Sequence, residues 1–283
     1  MDFFQTLIAL FAALCSMLFG MSFPLLENKT ADMDKFELVW SDEFDSDTLD
    51  TAKWQGCNHA PGQTVVRKGG YWNMDMVSVR DGNLHIAAKY YEDGYLGNGK
   101  AGWYTGAVFT KDLYEQTHGY FEIRCILPTG SGLWSAFWMN STTMAQVGNG
   151  GTDGAEIDIF ESAYYSTAFK NRVSSAVHYD GYGDDLQSTT VAKPFILNND
   201  PYKEFNTYGL EWNENEYIFY INGVETGRSN FGGTSLVPEY LILSVEIGGA
   251  DGVAADSWAG KALDKNFTPT DFIVDYVRAY QYK

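Results

Sequence analysis

The sequence predicts an all-β sandwich, on three observations. Short runs of β-forming residues recur along most of the chain, turn-forming Gly, Asn and Asp clusters separate them, and no long segment holds a helical apolar period. Residues 36–40 form the first expected strand. Val77-Ser78-Val79 and Leu84-His85-Ile86 flank Asp81-Gly82-Asn83, a pattern that reads as a hairpin. Tyr217-Ile218-Phe219-Tyr220-Ile221 runs into Asn222-Gly223, the strongest short hairpin signal, because both residues accept the left-handed backbone of a two-residue turn. Strands are also expected over 120–127, 133–139, 172–179, 208–212, 241–247 and 272–282, a number that suits a sandwich. The Gly-, Asn- and Asp-rich stretches 94–106, 142–154, 180–200 and 248–265 read as long loops, placed to wall a cleft.

The chain has 283 residues, and its size beyond an apolar start suits one large domain. Residues 3–26 carry no charge and are long enough to cross a bilayer. Residues 1–26 are therefore expected to be a signal peptide or a membrane anchor, although Asp2 replaces the usual Lys or Arg and no small-x-small cleavage site follows. The expected location is secreted or extracytoplasmic. Residues 27–35 read as a short tether, and 36–283 as the globular domain.

A net charge of -18 with no Lys/Arg cluster excludes nucleic acid and anionic membrane surfaces as partners, and favours a neutral one. Aromatic residues make up 16% of the chain, and beyond those needed for a core, flat rings in a cleft suit the apolar faces of sugars. Cys57 and Cys125 read either as one disulfide or as two buried thiols. Zinc-ligand spacing, a phosphate-binding Gly loop and a Gly-x-Ser-x-Gly elbow are all missing, which removes the corresponding enzyme classes.

The chemistry concentrates in Glu156-Ile157-Asp158-Ile159-Phe160-Glu161. Strand parity puts Glu156 and Asp158 on one face and Ile157 and Ile159 on the other. Glu161 breaks the parity, and a one-residue bulge near Phe160 would return it to the face of the other acids. Two Glu side chains leaning together across such a strand can approach the roughly 5 to 5.5 Å used by retaining glycosidases. Glu156 then serves as nucleophile, Asp158 as assisting acid and Glu161 as acid/base. Three like charges on one patch push a carboxyl towards the neutral form that a general acid needs. A solvated polar face or a cation site is the plain alternative.

With its neighbours Gly130-Ser131-Gly132-Leu133-Trp134-Ser135-Ala136-Phe137-Trp138-Met139, this strand resembles glycoside hydrolase family sixteen, in its bulged, laminarinase-like Glu-x-Asp-x-x-Glu branch. Trp40-Ser41-Asp42-Glu43-Phe44-Asp45, Gly119-Tyr120-Phe121-Glu122-Ile123-Arg124 and Val274-Asp275-Tyr276-Val277-Arg278 extend the likeness over nearly all of the globular chain. The resemblance implies a concanavalin-like β-jelly-roll sandwich with a concave cleft, no catalytic cofactor and retaining endo-cleavage. It implies cleft roles for Trp134, Trp138 and His178, and a structural calcium at Glu43, Gly82 and Asp275. The expected partner is a neutral polysaccharide, first β-1,3- or mixed β-1,3/1,4-glucan and alternatively a neutral β-galactan, bound by a monomer. Three departures bear on substrate: Ser135 stands where the family has Pro, Thr105-Gly106-Ala107 where it often has Ser-Gly-Arg, and Gly148-Asn149-Gly150-Gly151-Thr152-Asp153 where typical laminarinases have Trp-Pro-x-Cys-Gly. A non-catalytic lectin is the competing class, since such sandwiches also serve as binding modules.

Overall fold

The computed structural model describes residues 29–57, 62–167, 172–191, 195–197 and 199–283. The apolar segment 3–26 lies outside them. Two antiparallel sheets face each other. Among the described residues the first runs Gln187–Thr190, Arg172–Tyr179, Glu156–Glu161, Leu133–Asn140, Glu239–Ile247, Ala107–Phe109 and Gln55–Gly56. The second runs Val224–Ser229, Tyr217–Ile221, Asn206–Trp212, Gly119–Ile126, Phe272–Tyr282, Asn83–Ile86 and Val77–Arg80, with Phe36–Asp42 also paired to Phe272–Tyr282.

Strand alternation decides which side chains fill the space between the sheets. Leu133, Phe137 and Met139 enter the main core cluster with Leu241, Leu243, Val245 and Ile247, while Phe121, Ile123, Val274 and Val277 meet them from the second sheet. Fully burying one such side chain contributes on the order of 1.5 to 3 kcal/mol. A one-residue slip would turn that whole set to solvent, so burial fixes the register. The alternate residues of the same strands are thereby committed to the outer face, where the cleft lies.

Both expected hairpins form, and each turn has two consecutive left-handed residues: Asp81 (φ 54°) with Gly82 (φ 71°), and Asn222 (φ 49°) with Gly223 (φ 74°). Three expected loops are more ordered than their composition suggests, and within one of them, 180–200, Gln187–Thr190 pairs with Arg172–Tyr179. Within 94–106, Gly102–Thr105 is a buried strand paired in parallel with Gly70–Trp72, because Trp103 and Tyr104 have apolar places to fill. Within 248–265, Gly249–Ala250 pairs with Val253–Ala254. The end of the expected tether is held too: Met33–Lys35 forms a 3-10 turn, and the Lys283 amide donates to the Lys35 carbonyl at 3.0 Å. Cys57 and Cys125 are both buried and are not joined in a disulfide.

Candidate active site

The expected bulge is present and does what the chemistry requires. Opposite Leu133–Asn140, Asp158 pairs with Trp138 but Glu161 pairs with Ala136, so the acid strand spends one extra residue over that interval. Opposite Arg172–Tyr179 the same interval runs from Ala176 to Ser174. Residues directly opposite in an antiparallel pair share a face, so Glu156, Asp158 and Glu161 all stand on the cleft side with Ala136, Trp138 and His178. Ile159 and Phe160, adjacent in sequence, both enter the core. The bulge is pinned by polar contacts: Ser175 Oγ donates to the Ile159 carbonyl at 2.8 Å, and the Ser162 amide donates to the Ser135 carbonyl at 3.0 Å.

The entry to the strand demands a glycine. Gly154 has φ 136°, and a Cβ there would lie 2.0 Å from Ser141 Oγ. The next amide, that of Ala155, donates at 3.1 Å to Glu239, a wholly buried carboxyl beneath the site. Burial pushes Glu239 up to about 8, against hydrogen bonds from Ser235 and Ala155. Burial thus favours its neutral form.

The three acids meet different surroundings. Burial, then the negative charge of Asp158, drives Glu156 up to about 7, while a hydrogen bond from Tyr182 and the charges of His178 and Arg67 act the other way. Burial and the charges of Asp158 and Glu156 hold Glu161 well above the ordinary carboxylate range, with only Lys68 opposing to any extent. Glu161 is thus held towards its neutral, proton-bearing form. Asp158 Oδ2 faces His178 Nε2 at 3.1 Å, and His178 Nδ1 faces Ser188 Oγ at 2.6 Å. Burial disfavours a charged His178 ring, but the hydrogen bond and charge of Asp158, with Glu156, outweigh it and raise its pKa. Glu156, Asp158 and His178 offer donor atoms within 4.8 Å of one another, a spacing that ion sites also use. Here that set is hydrogen-bonded internally and to Tyr182, Asn140 and Ser188.

The cleft has a volume of about 650 Å³ and is lined by the acids, Trp134, Trp138 and His178, as expected from sequence. Three findings correct the expectation. Trp134 is only 3% exposed, because Trp258 packs edge-on at 5.2 Å and Lys68 lies over its ring at 5.4 Å, so it is a wall rather than an open platform. Trp258, 53% exposed, is the more open ring of that pair. Second, the cleft is not free of cations, since Arg67, Lys68 and Lys111 line it. Arg67 stacks on Trp72 at 4.6 Å and forks onto the buried Glu246 at 2.8 to 3.0 Å.

Third, the two carboxylates among Glu43, Gly82 and Asp275, the residues expected at a calcium ion, are each paired with an arginine. Glu43 grips Arg278 through both oxygens at 3.0 and 2.8 Å, and Asp275 takes Arg124 at 2.5 Å.

Sequence reading did not single out Asn140, Tyr182, Glu246 or Arg67. Asn140 and Glu246 were within reach, because each continues the cleft-facing parity of its strand beyond Trp138 and Ser244. Arg67 and Tyr182 come from separate segments and carry no such signal.

A pair of glutamates with an intervening aspartate on one wall of an open cleft is the kind of carboxylate set that glycoside hydrolases use. The family model described as "Beta-porphyranase A-D, GH16 domain" matches residues 36–282, and the chain belongs to glycoside hydrolase family sixteen. It is 28% identical over 271 residues to the glucan endo-1,3-beta-glucosidase A1 of Niallia circulans, covering 86% of this chain and 38% of that protein. It is 29% identical over 277 residues to the keratan-sulfate endo-1,4-beta-galactosidase of Sphingobacterium multivorum, covering 92% of this chain and 58% of that protein. The chain thus spans between a third and three fifths of these curated relatives. Among solved structures, the catalytic domain of an endo-1,3-beta-glucanase (laminarinase) from Thermotoga petrophila superposes with a TM-score of 0.66 at 26% identity, over 88% of this chain and 98% of that one.

Proposed function

We propose that this chain is a retaining endo-glycosidase that hydrolyses a β-linked polysaccharide, with β-1,3- or mixed β-1,3/1,4-glucan as first substrate. The observation that carries this reading is the bulge that returns Glu161 to the face of Glu156 and Asp158. In the first step Glu156 forms a bond to the anomeric carbon while the glycosidic bond breaks and its oxygen takes the proton of Glu161. In the second, Glu161, now ionised, removes a proton from water, which attacks the same carbon and releases the Glu156 carboxylate. Asp158, held by His178, stands between them, and its charge keeps the Glu161 proton in place until the leaving oxygen needs it. The relative named as a glucan endo-1,3-beta-glucosidase and the laminarinase fold support the glucan.

A second reading has its own observation. Lys68 and Lys111 give the cleft cationic groups that a bare glucan does not need, and a β-galactan carrying anionic substituents such as sulfate would use them. The family description and the keratan-sulfate relative point the same way. Reducing-sugar release from laminarin, lichenan, agarose and a sulfated galactan separates the readings. Oligosaccharides of several lengths should appear early. No release from any of the four, or monosaccharide alone, would overturn the proposal.

A further inference from the structure

Tyr182 sits in the short segment between Arg172–Tyr179 and Gln187–Thr190. Two consecutive left-handed residues, Asp180 (φ 65°) and Gly181 (φ 77°), turn the chain back over the strand end, and the Gly181 amide is pinned to the Met144 carbonyl at 3.0 Å. Tyr182 is 64% exposed, so core packing does not hold it there. What is located is its polar tip. The hydroxyl lies on Oε2 of Glu156, and Asn140 Nδ2 donates to that same hydroxyl oxygen at 2.8 Å while reaching Oε2 at 3.3 Å. An amide NH2 can only donate, so the phenol oxygen accepts from Asn140 and its own proton must point at the carboxylate. Burial of the hydroxyl and the charge of Glu156 raise the phenol's own pKa, which keeps that proton in place across the working pH range.

We propose that Tyr182 is the positioning residue of the nucleophile: braced by Asn140, its hydroxyl holds Oε2 of Glu156 and leaves Oε1 to meet the anomeric carbon. This deepens the proposed function and rests on Glu156 being the nucleophile. The hydrogen bond is strongest when Glu156 carries its full charge, before attack and as the carboxylate departs in the second step, and weakest in the covalent intermediate. It counters two influences that disfavour the ionised nucleophile, burial and Asp158. The other charged or titratable groups facing Glu156 are Glu161 on its own strand, His178 across from it, Arg67, and Glu239 and Tyr240 from Glu239–Ile247. Tyr182→Phe leaves all of them in place and keeps the ring, so its effect reports the hydroxyl alone.

Two measurements on the full chain test this. In a carbon-13 NMR titration of labelled glutamate carboxyls, Tyr182→Phe should move the Glu156 transition to higher pH by about one unit, which is a tenfold loss of the ionised form at any pH below it. An unmoved transition overturns the proposal, whether or not the enzyme turns over. In the pH profile of kcat/KM on the substrate that the polysaccharide panel identifies, the acid limb should move the same way, with KM on the alkaline side little changed. A shifted titration with an unshifted acid limb would overturn the positioning role and count against Glu156 as nucleophile. Hydrolysis of nothing on the panel by the wild type, together with a shifted titration, would sink the proposed activity while leaving the contact intact.

Discussion

Removing the central charge should move the whole pH profile, and the size of the move follows from the geometry. Asp158 is the largest electrostatic influence, after burial, on both Glu156 and Glu161. Asp158→Asn keeps shape and hydrogen-bonding capacity but deletes the charge. With donor atoms of Glu156 and Asp158 no more than 4.8 Å apart, the repulsion is about 1 kcal/mol if water screens it fully and about 3.5 kcal/mol at the effective dielectric typical of protein sites. At about 1.4 kcal/mol per pKa unit, Glu156 should ionise about 0.6 to 2.5 units lower in the variant. The sign is fixed: losing a negative neighbour favours the charged form, so the acid limb set by Glu156, near 7 in the wild type, moves to lower pH. The basic limb, set by the proton on Glu161, moves the same way. The assay is kcat/KM against pH on a polymeric substrate. Loss of height without movement of either limb would refute the coupling and reduce Asp158 to a partner of His178.

Other outcomes follow from the same structure. Glu156→Gln should abolish turnover on every substrate, whereas Glu161→Ala should keep activity on aryl glycosides whose leaving group needs no proton, and proton NMR of the first products should show retained anomeric configuration. Trp134→Ala removes a buried ring packed on Ala163 and Ala259, and should lower stability by about 3 to 5 kcal/mol in urea unfolding; an unchanged midpoint would mean that the ring is not structural. Glu239 is protonated more readily in the fold than in the unfolded chain, so its contribution is full at pH below about 4.5 and is lost as pH rises towards 8. Glu239→Gln should remove that loss, gaining on the order of 3 kcal/mol over wild type at pH 7 and little at pH 4, as read by urea unfolding at both.

The sequence by itself determined the sandwich and most of the catalytic wall. Alternation of apolar and other residues in 133–139, 172–179, 241–247 and 272–282 fixes which side chains face the core, and the odd spacing of Glu161 requires a bulge, because otherwise an acid would point between the sheets. These are local rules, readable along one strand at a time. Only the tertiary structure decided the electrostatic character of the cleft. The chain is strongly acidic, yet Arg67 and Lys68 arrive from a segment far away in sequence and stand over Trp72 and Trp134. It also decided that Trp134 is covered and Trp258 more open, that Arg278 and Arg124 take the carboxylates expected for calcium, and that Tyr182 reaches Glu156. Each of these pairs residues from different strands or loops, and net charge, composition and strand parity carry no information about which side chains a fold brings within hydrogen-bonding distance.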